Sequence, residues 1–256
     1  MKLTIIGPGK MALALARGLE KEHELTVVGR DGERLLQFTE QLSKHAKTAL
    51  LNKYEIEGET LLLCVKPHAL KETAAALKGK AETVYSVLAG TSIKDLQKCI
   101  KSGSYVRAMP NLAAEHLASM TTLTGDEAKK EEATELFGSI GETLWVGSEK
   151  ELDIATAIAG SGPAYLALVA EALADGGVRE GLKREDAMKL AEGLFAGFAR
   201  LLAHNHPAVL KDGVMSPGGT TAAGYATLES KSVRSAFIDA VESAYNAAKK
   251  SGNHKE

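Results

Sequence analysis

The opening of the chain leaves little choice of fold. Lys2-Leu3-Thr4-Ile5-Ile6 is an apolar, β-branched run, and it passes directly into Gly7-Pro8-Gly9-Lys10-Met11-Ala12. From Met11 onward the pattern turns helical, with Leu13, Leu15, Ala16 and Leu19. The residues therefore predict a strand, a tight turn and a helix with no slack between them. Gly7 permits the turn, and Gly9 lets a phosphate come close to the backbone. Ala12 takes the third small position, where helix packs on strand, in the accepted Gly-x-Gly-x-x-Ala form. The helix start directs free N–H groups and a positive dipole end at the turn, which suits an anion. The pattern alone also fits a βα turn that binds nothing. Its context, with a strand before and a helix after, favours a dinucleotide.

The alternation continues. Strands are predicted over 25–28, 60–65, 83–88, 104–109, 120–123 and 143–146, with a weaker one at 48–51. Helices are predicted over 10–20, 32–45, 92–100 and 126–140. The continuous apolar run from Thr60 to Val65, closed by Lys66-Pro67, is what a strand buried on both faces gives. Strands alternating with helices imply an α/β fold with a doubly wound parallel sheet of Rossmann type. Beyond residue 148 no strand is predicted, and helices are expected over 150–160, 163–179, 184–204 and 219–250. Leu190, Leu194, Phe198 and Leu201 recur at helical spacing and mark one buried face. Two domains follow: residues 1–148 as a nucleotide-binding domain, and residues 149–256 as an all-α substrate and dimerisation domain. The helices over 163–179 and 184–204 are apolar for a surface, and a homodimer built on them buries both sides.

Composition narrows the partners. The 256 residues are 45% apolar with a formal net charge of −2, acids and bases interspersed. That gives no reason to expect nucleic acid or a membrane surface. Cys64 and Cys99 have no metal spacing and read as buried, reduced thiols of a cytoplasmic protein. The apolar start is too short for a signal peptide, and no apolar run approaches the ~20 residues of a membrane span. No His-x-x-x-His, Cys cluster or paired-carboxylate motif appears, so no metal site is expected. The protein supplies orientation and anion binding, and a cofactor supplies the reaction.

The end of the second strand selects the dinucleotide. An acid there bonds the ribose 2′-OH and selects NAD, whereas an Arg accommodates the 2′-phosphate of NADP. Here the residues are Gly29-Arg30-Asp31. Arg30 can pair with a phosphate, while Asp31-Gly32-Glu33 reads as a helix N-cap. NADPH is favoured, with NADH as the alternative; Arg30 also fits a solvated surface charge. Ligands lie outside the carboxyl ends of the strands. That places Val65-Lys66-Pro67, Ala89-Gly90 and Met109-Pro110-Asn111 around the site. Lys66 is a phosphate or substrate contact or a strand-end charge, and Asn111 a substrate group or a turn residue. A second Gly-rich helix start, Ser216-Pro217-Gly218-Gly219-Thr220-Thr221, collects N–H groups and three hydroxyls in the part without a sheet. It suits a carboxylate, or it is a plain capping motif.

These motifs, together with Gly160-Ser161-Gly162-Pro163-Ala164-Tyr165 and in this order and spacing, resemble the pyrroline-5-carboxylate reductase family over essentially the whole chain. The 216–221 motif, continued by Gly224 and Leu228-Glu229, carries most of the resemblance. It implies NAD(P)H-dependent reduction of 1-pyrroline-5-carboxylate to L-proline, the last step of proline synthesis, with an active site at a dimer interface. Assemblies of several dimers are common in the family. Family nucleotide contacts carry over to Ile6, Gly7, Pro8, Gly9, Lys10, Met11, Arg30, Asn52, Cys64, Val65, Lys66, Pro67, Val87, Leu88 and Ala89. Substrate contacts carry over to Thr220 and Thr221, with Ser216 nearby. The backbone N–H groups of Gly219 to Thr221 are expected to hold the substrate carboxylate, with Asn111 as a further candidate contact. Thr221 is the expected catalytic residue, its Oγ hydrogen-bonded to the imine nitrogen. Related β-hydroxyacid dehydrogenases place a Lys on the helix after the Gly-rich interdomain segment; Pro163-Ala164-Tyr165-Leu166-Ala167-Leu168-Val169 has none. A non-catalytic NADPH-binding protein would not need the 216–221 site.

Overall fold

The computed structural model describes residues 1–52 and 54–252. In chain order the first part runs β1 (Lys2–Ile6), α1 (Lys10–Leu19), β2 (Glu24–Gly29), α2 (Gly32–Thr39), β3 (Lys47–Leu50), β4 (Tyr54–Glu55), β5 (Thr60–Leu63), α3 (Leu70–Ala75) and β6 (Leu77–Lys78). It continues with β7 (Ala81–Ser86), α4 (Ile93–Cys99), β8 (Ser102–Met109), β9 (Ser119–Gly125), α5 (Lys130–Gly138), β10 (Gly141–Trp145) and α6 (Glu149–Ala155). Eight strands form one sheet in the order β10-β9-β8-β7-β5-β1-β2-β3, and β4 pairs with β6. The order reverses between β1 and β5, which makes a switch point.

Strand alternation sorts the core onto two faces. Leu3, Ile5, Val27, Leu62 and Val106 pack with α1 and α5 residues such as Leu15, Leu19, Leu136 and Phe137. Ile6, Val28, Leu61, Leu63 and Val84 pack on the other face with Leu70 of α3 and Leu96 of α4. Both faces are covered, which is why the strands read as apolar runs rather than alternating ones.

The doubly wound sheet is parallel except at one pairing: β8 and β9 are antiparallel, with Val106 opposite Gly125 and Met109 opposite Thr122. Only residues 110–118 connect them, including a 3₁₀ turn at Leu112–His116. A parallel crossover needs a dozen residues or more, so β9 must turn back. Strand β10 then runs parallel to β9 by way of α5. The helix expected over 32–45 ends at Thr39. The Glu20 carboxylate takes the Ser43 and Lys44 amides at 3.1 and 2.9 Å, so that backbone is bonded to a side chain instead of a helix.

A buried cation ties β8 to α6. Arg107 is 2% exposed; its Nη1 donates to Glu149 Oε1 at 2.9 Å and its Nη2 to Asp153 Oδ1 at 3.0 Å. Glu149 Oε1 also accepts the Ile93 amide at the start of α4, at 2.9 Å. Beyond α6 the helix widens into one π-helical stretch, Thr156–Gly160.

The chain divides into two compact units, residues 1–161 with 243–256, and residues 162–242. The second holds α7 (Gly162–Arg179), α8 (Arg184–Leu202), α9 (Pro207–Val214), α10 (Thr220–Ser230) and the first part of α11 (Val233–Gly252). The single helix expected over 219–250 is broken where Ser232 takes a φ of 57°. Helix α9 was not expected; His206 caps it, Nδ1 accepting the Ala208 amide. Helices α7 and α8 meet through small residues, with Ala174, Ala187 and Ala191 buried. The face marked by Leu190, Leu194, Phe198 and Leu201 is 63, 57, 44 and 51% exposed, so it is not covered within the chain. The sequence reading of apolar runs is also corrected. The helical run Glu149–Arg179 is long and apolar enough to cross a membrane by length and composition, because no charge falls between Asp153 and Glu171.

Replacing Arg107 by Met leaves Glu149 and Asp153 without their cation, and urea denaturation is expected to show a loss of about 3 kcal/mol. A loss below about 1 kcal/mol would mean the buried pair does not hold α6 to the sheet.

Candidate functional site

Strands β1, β5 and β7 end side by side in the first unit. The Gly7 amide donates to Val28 O at 2.8 Å, and the Cys64 amide to Ile6 O at 2.9 Å. Gly7 has a φ of +103°, and a Cβ on it would stand 2.8 Å from Val65 Cγ1. The fold itself therefore demands glycine at this position. Gly9 is different. Its φ of −96° suits any residue, and a Cβ there would meet nothing within 4 Å. It is the N-cap of α1 and gives the helix no side-chain cap. Among the described residues no packing requires glycine at position 9. Ala12, wholly buried, lets α1 lie on the sheet.

Pro8 and Met11 are half-buried beside this turn and Lys10 is exposed. Past β5, Cys64 and Val65 are half-buried, Lys66 is exposed, and Pro67 opens a 3₁₀ turn. Past β7, Val87 is half-buried, Leu88 buried and Ala89 exposed. Cys64 and Cys99 are free and half-buried rather than fully buried. Burial pushes the Cys64 thiol far above its ordinary range, so it is a poor nucleophile. Among the described residues no group of three His, Cys, Asp or Glu stands together to hold a metal ion.

Arg30 follows β2 directly and is exposed, its Nη1 on Glu72 Oε1 of α3 at 2.7 Å. Asp31 caps α2, accepting the Glu33 and Arg34 amides at 3.0 and 3.3 Å. Asn52 is exposed beyond β3, two strands from β1. Asn111 is nearly buried: its Oδ1 accepts the Ala113 amide and its Nδ2 donates to Ala159 O, both at 3.0 Å. One N–H and one oxygen lone pair of that carboxamide remain for other partners. Sequence reasoning missed Glu72 and the Arg107 cluster. Neither has a local signal, because each pairs across 42 residues or more.

In the second unit, Ser216 O accepts the Gly219 amide at 3.0 Å and Gly218 has a φ of +69°. With Pro217 ahead of it, this is the pattern of a type II turn. Gly219 is the N-cap of α10 and supplies no side-chain cap. The reading of 216–221 as a plain Ser or Thr capping motif is thereby removed. Ser216, Thr220 and Thr221 are exposed at the helix start.

Sheet order, Gly7 turn and uncapped helix start together define a dinucleotide-binding α/β protein of the Rossmann class. Residues 2–90 match a family model described as NADP oxidoreductase coenzyme F420-dependent, and residues 149–251 one described as pyrroline-5-carboxylate reductase dimerisation. A pyrroline-5-carboxylate reductase of Synechocystis is 39% identical, covering 98% of each chain. Among solved structures, the Streptococcus pyogenes 1-pyrroline-5-carboxylate reductase superposes with a TM-score of 0.86 at 32% identity, over 98% of each chain. The Plasmodium falciparum pyrroline carboxylate reductase, solved with NADP bound, gives 0.80 at 26% identity and the same coverage. The chain belongs to the pyrroline-5-carboxylate reductase family.

The two glycines of the first turn are expected to separate. Gly7→Ala, strained and overpacked against Val65, lowers stability by about 2 kcal/mol. Gly9→Ala leaves the thermal midpoint within about 2 °C. Equal destabilisation of the two variants in a melting experiment would refute this division.

Proposed function

We propose that this chain reduces 1-pyrroline-5-carboxylate to L-proline with NADPH as hydride donor and NADH as the alternative. Gly9 supports the nucleotide half: it leaves α1 uncapped and open beside the backbone, as an approaching pyrophosphate needs. Ile6, Gly7, Pro8, Gly9, Lys10 and Met11 form that cradle. Arg30 takes the 2′-phosphate. Cys64, Val65, Lys66, Pro67, Val87, Leu88 and Ala89 line the remainder, with Asn52 as an outer contact. NADPH, when bound, supplies the hydride that turns the C=N bond into an amine.

The observation that carries the substrate half is the α10 start, where a type II turn delivers Gly219 as an N-cap without a side chain. In this reading the amides of Thr220 and Thr221 bind the substrate carboxylate with Ser216 beside them, the dipole end adding attraction; the Gly219 amide, expected to join them, is already bonded to Ser216 O. Fixing the carboxylate orients the imine carbon, and proximity supplies much of the rate. Thr221 Oγ hydrogen-bonds the imine nitrogen and relays a proton to it; its own pKa is too high for a strong acid, so the proton comes from solvent or arrives on the substrate. Asn111 contributes its remaining N–H or lone pair.

We divide the chain functionally into residues 1–148 for the nucleotide and 149–256 for substrate and dimerisation. The exposed stripe of Leu190, Leu194, Phe198 and Leu201 supports a homodimer, alone or within a larger assembly of dimers, as its cover. The same cover accounts for the apolar run Glu149–Arg179 without a membrane. Two free thiols and no disulfide fit a cytoplasmic enzyme.

Following the loss of NADPH absorbance with 1-pyrroline-5-carboxylate tests the activity directly; no oxidation with saturating substrate would refute it. Thr221→Val is expected to lower kcat about 100-fold while the Kd for NADPH holds. Thr221→Ser restores most of the rate, and unchanged turnover in the Val variant sinks the proposed role.

A further inference from the structure

The nucleotide-selecting corner carries two opposite charges, and only one of them comes from the strand end. In the Rossmann rule an acid after the second strand accepts the ribose 2′-OH of NAD, and an Arg takes the 2′-phosphate of NADP. Here the neighbouring acid, Asp31, is engaged elsewhere. It caps α2 through the Glu33 and Arg34 amides, and its Oδ2 stands 3.6 Å from Arg34 Nε. The acid at this corner arrives from α3 instead. Glu72 Oε1 receives Arg30 Nη1 at 2.7 Å, and both side chains are well exposed, 69 and 65%.

We infer that Glu72 sets the balance between NADPH and NADH by competing with the 2′-phosphate for Arg30; this rests on the dinucleotide reading above. With a 2′-phosphate present, Arg30 must exchange a carboxylate for a phosphate, and the released Glu72 charge stays close enough to repel it. With a plain ribose, the Arg30–Glu72 pair persists and the second carboxylate oxygen accepts the 2′-OH. Arg30 alone would make a strongly NADPH-selective corner. The pair makes one that accepts both cofactors, with the ratio controlled from α3. Because the pair is exposed, it contributes little to folding, so its loss is read in binding rather than in stability.

The test uses the whole protein and two probes that report the adenosine end alone: 2′,5′-ADP, which bears the 2′-phosphate, and 5′-AMP, which does not. Calorimetric Kd values are measured for the unaltered protein, Glu72→Gln, Arg30→Ala and the double variant, beside kcat/KM for NADPH and NADH. Glu72→Gln is expected to shift both ratios toward the 2′-phosphate by roughly five-fold, the scale of one screened charge contact. Arg30→Ala shifts them the opposite way, and in that background Glu72→Gln gives a smaller shift than in the unaltered protein, because only the direct repulsion of the 2′-phosphate is left to relieve. Ratios within about two-fold of the unaltered protein in Glu72→Gln, with both probes binding, overturn the inference and leave the dinucleotide reading standing. If neither probe binds the unaltered protein, the dinucleotide reading falls and this inference with it.

Discussion

The contact of Gly7 with Val65 is the constraint from which the nucleotide half of the chain takes its shape. Strand β1 must give way to α1 within three residues, beside the end of β5. A positive φ and the absence of a Cβ let the turn lie directly on Val65. Any side chain there would lift the turn off the neighbouring strand and move the start of α1. The position of that helix start relative to the sheet decides where its free amides and dipole end act, since both act only over the first turn.

The same device recurs at α10 on an unrelated backbone. There a Pro-Gly turn, not a strand, delivers the glycine. Both helices begin on a residue that offers no side-chain oxygen, whereas α2, α4 and α6 begin on Asp31, Ser92 and Ser148, each of which bonds amides of its own helix. A capped helix has an internal partner for its first amides. An uncapped one leaves them open, as at α3, α5 and α8, which start behind Ala69, Lys129 and Lys183; α1 and α10 differ from these in starting on a glycine.

Charge in the first unit is organised at two depths. Arg107 is sealed between β8 and α6, where two carboxylates one helical turn apart on α6 compensate it. Arg30 and Glu72 meet in solvent and can exchange partners. The buried pair fixes geometry because unpairing it strands a charge in low dielectric. The exposed pair can respond to a ligand because water covers either partner when they separate.

Local chemistry was legible in the residues themselves. Gly7 and Gly9 announced the β1–α1 turn, Asp31 the α2 cap, and Ser216–Thr221 a Gly-rich helix start, because each rests on neighbours within a few positions. The direction of β9, the early end of α2, the break at Ser232 and the Arg30–Glu72 and Arg107 pairs were not legible. The end of α2 and the two ion pairs depend on partners brought in from elsewhere: Glu20 takes the amides past α2, Glu72 reaches Arg30, and α6 reaches β8. The direction of β9 follows from the shortness of its connection, and the break at Ser232 from a single positive φ. The Leu190–Phe198 stripe shows the same limit in reverse, since helical spacing identified an apolar face but not whether the chain itself would cover it. Sequence alone determined the βα alternation, the two glycine-led helix starts and the family, since short-range sterics and hydrophobic period suffice for these. Only the tertiary structure decided which charges meet and which glycine the fold requires, because those follow from distances between segments that the chain order does not contain.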